Sequence, residues 1–317
     1  MQDLISIVIV AFDADRYIDA AINSCLSQSY SNIELILVDD GSTDDTLAIM
    51  EKYSNSDSRV SVIKQENKGV GAARNLGNNI AKGELIAVLD ADDLMLANRL
   101  EVQMQYLQQY PEIDILSCWM EYINENGKRI GVYIYPKDLT NPTQFREYLA
   151  NEKPISIAHS GVIYRKEKVE QVGGYRNIRP GQDTDLWNRM VENGCIAVVM
   201  PIVLGKYRIY TSSLNTSWTV ESFYAYYWLL YNSKQRKQRL EEITFEQYLS
   251  AHRKKPLMER IRLDRQVYVL FYSRKFSLSM GRKEYLAAIG HLFMAIIIDP
   301  FVIIKKLIRK LKFSLEI

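Results

Sequence analysis

Through the first hundred residues of this 317-residue chain, short runs of Val, Ile and Leu alternate with apolar positions spaced for helices. Ile5–Val10, Ile33–Val38, Val60–Ile63 and Glu84–Leu89 read as strands buried on both faces, because few of their positions are polar. Helical patterns at 15–28, 43–54, 70–82 and 95–109 separate and follow them. This alternation predicts βαβ units and a mostly parallel sheet flanked by helices. The pattern then loosens. Ile113–Ile123, a turn at Asn124–Gly127 and Arg129–Tyr135 predict a hairpin, and Thr143–Asn151 a helix. A strand at Gly161–Tyr164, a short helix ending at Gly173-Gly174, a helix at 183–193 and strands near 196–199 and 205–209 follow. Beyond Val220 only amphipathic helices are expected, with the boundary in the Ser/Thr-rich stretch Thr211–Thr219, giving domains of 1–215 and 216–317.

Polar residues gather just after the strands: Asp13 after the first, Asp39-Asp40-Gly41-Ser42 after the second, Asp90-Ala91-Asp92-Asp93 after the fourth. Ligands of open α/β sheets bind at the carboxyl ends of strands, so these clusters should converge on one crevice. Asp90 and Asp92, one residue apart at a strand end, can hold a hard cation, Mn2+ or Mg2+, whose shell substrate phosphates complete. Capping is the plainer role for Asp93 before the next helix, for Thr43 or Asp44 before 43–54, and for Asp185 or Asp183 before Leu186-Trp187. Asp40 could accept a hydrogen bond from a base or ribose. Gly69-Val70-Gly71 superficially suggests a dinucleotide fingerprint, but Arg74 stands where the third glycine belongs and the first strand does not precede it.

Composition narrows the class and charge divides the chain. At 47% hydrophobic and 25% charged, with 8 Pro, it is globular rather than fibrous or disordered. The net charge of +2 conceals 21 basic and 29 acidic residues in 1–219, against 19 and 9 in 220–317. Cys25, Cys118 and Cys195 lack zinc or redox spacing, which suits a reduced, cytoplasmic compartment. No signal peptide is apparent, and the run Leu292–Ile298 is too short to span a bilayer.

Ser6–Phe12, Glu34–Thr46, Asn67–Gly77, Gly83–Asp93 and Gly181–Arg189, in that order, resemble glycosyltransferase family two over about residues 4–213. The resemblance implies an inverting enzyme with the A-type nucleotide-sugar fold and a C-terminal helical extension. It implies a floor of Ala11, Phe12 and Asp13 under uracil and ribose, Asp40 on the uracil, Arg74 beside base or diphosphate, and Asp90 and Ala91 near the ribose. Asp92 would bind the metal and Asp183 would be the general base. The family's usual Pro and Asn are Ala11 and Asp13 here, its Glu before the base is Gln182, and its His after Tyr207-Arg208 is Tyr210. His159, Gln182 and Trp187 could meet the sugar or acceptor; a structural histidine and a packed tryptophan are the alternatives. Tyr175 reads as a packed turn residue.

In the tail, Phe301–Phe313 sets Ile303, Ile304, Leu307, Ile308 and Leu311 against Lys305, Lys306, Arg309, Lys310 and Lys312 at helical spacing. Such a helix suits an anionic membrane, or packs on the body; no motif accompanies the charge to suggest nucleic acid. The expected protein is therefore a UDP-sugar-dependent transferase acting on a glycan or lipid-linked acceptor, peripheral on the inner face of the cell membrane. A sugar nucleotidyltransferase and a non-catalytic nucleotide-sugar-binding protein share the same crevice.

Overall fold

The four apolar runs become β1 (Ile5–Ala11), β2 (Ile33–Asp39), β3 (Val60–Lys64) and β4 (Leu85–Asp90). The computed structural model describes residues 3–133, 139–150, 155, 157–178, 181–209, 219–281 and 284–300. Five more strands follow: β5 (Leu94–Met95), β6 (Ile115–Ile123), β7 (Arg129–Tyr133), β8 (Ile163–Arg165) and β9 (Ala197–Arg208). The sheet order is β3-β2-β1-β4-β8-β6-β9-β5, with β7 also pairing with β6. The first four strands run parallel. Strand β8 is antiparallel to β4 and β6, while β6 and β9 are again parallel.

Seven helices accompany this sheet: α1 (Asp15–Leu26), α2 (Thr46–Ser56), α3 (Val70–Ile80), α4 (Arg99–Gln109), α5 (Pro142–Ala150), α6 (Lys166–Gln171) and α7 (Gln182–Glu192). The two-residue period of a strand divides the core between the faces. Ile5, Ile7 and Ile9 pack with Ile18 and Ile22 of α1, Met50 of α2 and Leu100 of α4. Val8 points the other way, toward Ala73 of α3, Phe145 of α5 and Leu186 and Trp187 of α7. Gly77 lets α3 lie close on the sheet, since a Cβ there would come within 2.5 Å of the Val8 side chain.

Several local expectations change. The pattern at 95–109 is a short strand and then α4, because Leu94 and Met95 pair with Lys206 and Gly205 of β9. The two expected strands at 196–199 and 205–209 are one. Its partner β6 shifts register around Trp119, leaving Pro201 and Ile202 exposed where no ladder hydrogen bond is needed. Helix α2 starts at Thr46 with Asp45 at its N-cap position. Asp44 instead accepts from the Thr46 and Asp15 N–H groups at 3.0 and 3.1 Å. Asp93 caps nothing, and α7 starts from Gly181 in a left-handed conformation rather than from either aspartate.

The chain divides into the unit Met1–Ile209 just described and a second unit, Tyr210–Ile317. The second contains α8 (Val220–Lys237), α9 (Phe245–Lys254), α10 (Leu257–Gly281) and α11 (Tyr285–Ile298). Thr219 and Thr244 form capping boxes with Ser222 and Gln247. Trp228 Nε1 and Asn232 fasten α8 to the backbone of Ile243 at 2.7–3.1 Å. Residues 211–218, where the boundary stretch falls, and the basic tail Phe301–Phe313 lie outside the described residues.

Candidate active site

The acidic clusters meet at the carboxyl ends of β2, β1 and β4, adjacent in the sheet. Two loops interlock there. Asp13 adopts a positive φ of 48°, a conformation that costs a non-glycine residue about 1 kcal/mol. Its carboxylate accepts from Thr43 N–H (2.8 Å) and Oγ1 (3.2 Å), and its own N–H donates to Ser42 Oγ (3.1 Å). Thr46 Oγ1 accepts from the Ala14 N–H at 2.7 Å. Phe12 is left 48% exposed at the strand end, whereas Ala11 is buried and its carbonyl accepts from Asp40 N–H at 2.9 Å. Asp40 is buried too, accepting from Gln65 Nε2 (2.6 Å) and Lys68 N–H (3.0 Å), so it also anchors the chain leading into α3.

At the end of β4, Asp90 is the hub. Arg74 Nη2 of α3 lies 2.8 Å from Asp90 Oδ1, and His159 Nδ1 lies 3.2 Å from the same oxygen. His159 opens a short 3-10 turn, His159–Gly161, whose Ser160 hydroxyl accepts the Asp90 N–H at 3.1 Å. Tyr175 completes the group: its hydroxyl is 3.0 Å from His159 Nε2, and the Arg74 guanidinium lies 5.4 Å from its ring centre. Burial disfavours the charged form of Asp90, but His159 and Arg74 outweigh it and hold its carboxyl well below the usual range. Burial, followed by the Arg74 charge, lowers His159, against the pull of Asp90. His159 Nε2 and the Tyr175 hydroxyl share a hydrogen bond, and burial keeps the Tyr175 phenol protonated.

Asp92 is half-buried one residue farther, and its carbonyl accepts from Arg208 Nε at 2.8 Å. Asp93 lies inside, accepting the Arg208 N–H at 2.7 Å. Burial and then its Asp92 and Asp90 neighbours push the Asp93 carboxyl well up, favouring the protonated form. Arg208, at the end of β9, also reaches the Asn124 and Glu125 carbonyls at 3.1 Å and sits 4.5 Å over the Tyr17 ring. It thus fixes the acidic turn from three sides.

Helix α7 brings the last candidates. Asp183, in its first turn, is partly exposed and acts electrostatically on Arg74, His159 and Tyr175, which sets it against the Asp90 hub. With its amide oriented so that donors meet acceptors, Gln182 accepts from Arg74 Nη1 at 3.1 Å and donates to the Ile178 carbonyl at 2.9 Å. Trp187 is fully buried and stacks beneath His159 with ring centres 6.1 Å apart, so it packs the helix rather than lining the crevice. Asp185 is tied to Arg189 at 2.7 Å.

Tyr175 and Arg208 are the contributions that the sequence did not announce. Tyr175 reaches the hub because Gly173 and Gly174, both at positive φ, turn the chain back onto α3, where Asn75 grips the Tyr175 backbone at 2.7 and 2.8 Å. A Cβ on Gly71 would come within 2.7 Å of the Arg176 carbonyl, so that glycine makes room for this turn. The consecutive glycines were the available signal.

Among the described residues no three His, Cys, Asp or Glu side chains form a metal cluster. The donor set, the carboxylates Asp90, Asp92 and Asp93 on one turn at the end of β4, is of the type that suits a hard cation with few protein ligands.

The model of the family Glycosyl transferase family 2 matches residues 6–173. The Escherichia coli protein named UDP-Glc:alpha-D-GlcNAc-diphosphoundecaprenol beta-1,3-glucosyltransferase WfaP is 33% identical over 217 residues, 68% of this chain and 81% of that one. Among solved structures, residues 1–349 of S. aureus TarS in complex with UDP-GlcNAc share the fold, with TM-score 0.61 at 20% identity, over 90% of this chain and 88% of that one. The mannosyltransferase PcManGT from Pyrobaculum calidifontis, in complex with GDP-Man and Mn2+, matches with TM-score 0.57 at 16% identity, over 94% and 87%.

Proposed function

The chain belongs to glycosyl transferase family 2 and has the A-type glycosyltransferase fold, and from that premise we propose an inverting, metal-assisted transfer from a UDP-sugar to a glycan or lipid-linked hydroxyl. The observation that carries the reading is the meeting of Asp90, Arg74 and His159 with Asp183 beside half-buried Asp92, at the same strand ends as exposed Phe12. Phe12 offers a face for the base, and Asp40 and the interlocked loops shape the wall beside it. Asp90 reaches the ribose while Arg74 and His159 hold its carboxylate in one orientation. Asp92 would hold a divalent cation, which neutralises charge on the departing diphosphate.

Asp183 accepts the proton of the acceptor hydroxyl as that oxygen attacks C1 from the face opposite the diphosphate. The C1–O bond to the nucleotide breaks, the new glycosidic bond forms, and the anomeric configuration inverts. Positioned base catalysis is worth about 10²–10⁴ in rate. Lipid-linked acceptors of the kind named for WfaP would place the enzyme at the inner membrane face. A panel of UDP-sugars, with and without Mn2+ or Mg2+, tests the reading by donor hydrolysis and thermal stabilisation. One donor should stabilise the protein only with cation present; stabilisation by an NTP and a sugar phosphate instead would indicate nucleotidyl transfer.

A further inference from the structure

Helix α11 carries no Asp, Glu, Lys or Arg over its 14 residues. One side of it packs on α10: Ala288 and Ala295 are fully buried, and Ala295 joins Val269, Tyr272, Leu292 and Ile298 in a small cluster. The opposite arc is apolar as well, yet it is open. Tyr285, Leu286, Ile289, Phe293 and Ile297 are 57%, 88%, 64%, 61% and 60% exposed, and their spacing puts them on one face. A patch of this kind is rare on a protein surface that meets only water.

We propose that this face of α11 seats the protein on an anionic membrane by lying in the interface, its apolar side chains among the upper acyl chains. Length excludes crossing, since 14 residues rise about 21 Å against a hydrocarbon core of about 30 Å. An interfacial helix normally turns a charged side to water; here packing on α10 replaces that side. Charge complementarity selects the surface. Lys305, Lys306, Arg309, Lys310 and Lys312 follow α11 within fifteen residues of Ile298, and residues 220–317 hold 19 basic against 9 acidic side chains. Cations that follow an apolar face in the sequence suit lipids with negative headgroups. The sequence pattern gave the basic segment this role; the exposure of α11 assigns the apolar part of it to a different element. The inference shares with the proposed function only its membrane location, not its chemistry.

Flotation of the full chain with phosphatidylcholine vesicles, with and without phosphatidylglycerol, tests it. The protein should float with the anionic vesicles and remain behind with the neutral ones. The combined variant Leu286→Asn, Ile289→Asn, Phe293→Asn should lose about tenfold or more of that partitioning. Leu240→Asn, exposed just beyond α8, should lose none. Unchanged circular dichroism confirms folding; should the combined variant unfold, Leu286→Asn alone still gives a measurable several-fold loss. In a Phe293→Trp protein, brominated acyl chains should quench the added fluorescence. Parental flotation of the combined variant overturns the proposal. So does a dimer that the same substitutions dissociate, which would make the face a contact between copies. Donor hydrolysis in solution should be unchanged in every variant, so a failed enzymatic reading stays distinguishable from a failed seat.

Discussion

Among the described residues, the unit Met1–Ile209 leaves four large apolar side chains exposed, while Tyr210–Ile317 leaves fourteen, although both draw on Leu, Ile, Met and Tyr. In the first unit, alternate residues of β1 enter different cores, and two of the four exceptions have local reasons: Phe12 at the crevice, Ile202 in a strand irregularity. Among the described residues, the second unit has one small cluster around Val269 and Ala295 and otherwise joins its helices by ring contacts such as Trp228 to Phe245 and Phe223 to Phe271 and by hydrogen bonds such as Trp228 to Ile243. Apolar content therefore does not report core formation. What matters is whether the chain supplies a second surface of matching shape.

The contrast can be broken at several points, beginning where the effect is largest. Asp183→Asn should lower turnover about 10²- to 10⁴-fold with donor binding near parental, as read by steady-state kinetics and thermal shift. Parental turnover would remove Asp183 from its role. Next comes a paired truncation in lipid-free buffer. Ile7→Ala, at a fully buried site, should cost about 2–5 kcal/mol, whereas Leu286→Ala, at 88% exposure, should stay within about 0.5 kcal/mol by denaturant unfolding. Comparable losses would mean that α11 is covered in solution.

Arg74→Met leaves Asp90 without its guanidinium and should cost about 3 kcal/mol, the low end for a buried pair because the Asp90 side chain is 32% exposed. The pH dependence distinguishes this pair from ordinary packing. Asp90 titrates below its unfolded value, so its contribution is present above about pH 4 and lost as pH falls toward the folded value. Arg74→Met should flatten that acid limb. Asp93 has the opposite sign. Its folded carboxyl titrates above the unfolded value, so stability is full below about pH 4 and declines as pH rises toward the folded value. Asp93→Asn should remove this decline, the smallest change of the set, visible as a flatter melting temperature between acid and neutral pH.

How much the sequence disclosed followed from the range of the interactions involved. Strands β1–β4 were legible because burial on both faces makes them continuously apolar, and the aspartates at their ends followed from the rule for open sheets. The order β2-β1-β4 then joined those ends. Arg74 and Asp90 belong to neighbouring motifs and could be named together. His159 and Tyr175 were visible only as individual residues, because their pairing depends on a turn made by Gly173-Gly174 that grips Asn75, a hundred residues away. The expected caps failed because the carboxylates found other donors: Asp93, at a strand end, took the N–H of distant Arg208, and Asp185, inside α7, took Arg189 one helical turn on. Strand β5 is two residues long, too short for a period to show, and the register shift that leaves Pro201 and Ile202 unpaired made β9 read as two strands. The exposure of α11 was hidden for another reason: a hydrophobic run has the same appearance whether one side of it is covered or both.

The Arg74–Asp90 contact has an electrical consequence for the order in which ligands arrive. The Arg74 guanidinium is already matched by the Asp90 carboxylate, and partly exposed Asp92 and Asp183 belong to the same site. A nucleoside diphosphate approaching alone therefore meets carboxylates with the Arg74 charge already matched. Uncharged uridine meets no such barrier. On the proposed UDP-sugar reading, the affinity gap between uridine and its diphosphate should thus narrow or even invert at low divalent-ion concentration and widen in favour of the diphosphate as the ion is added; the ion would then gate phosphate rather than base recognition.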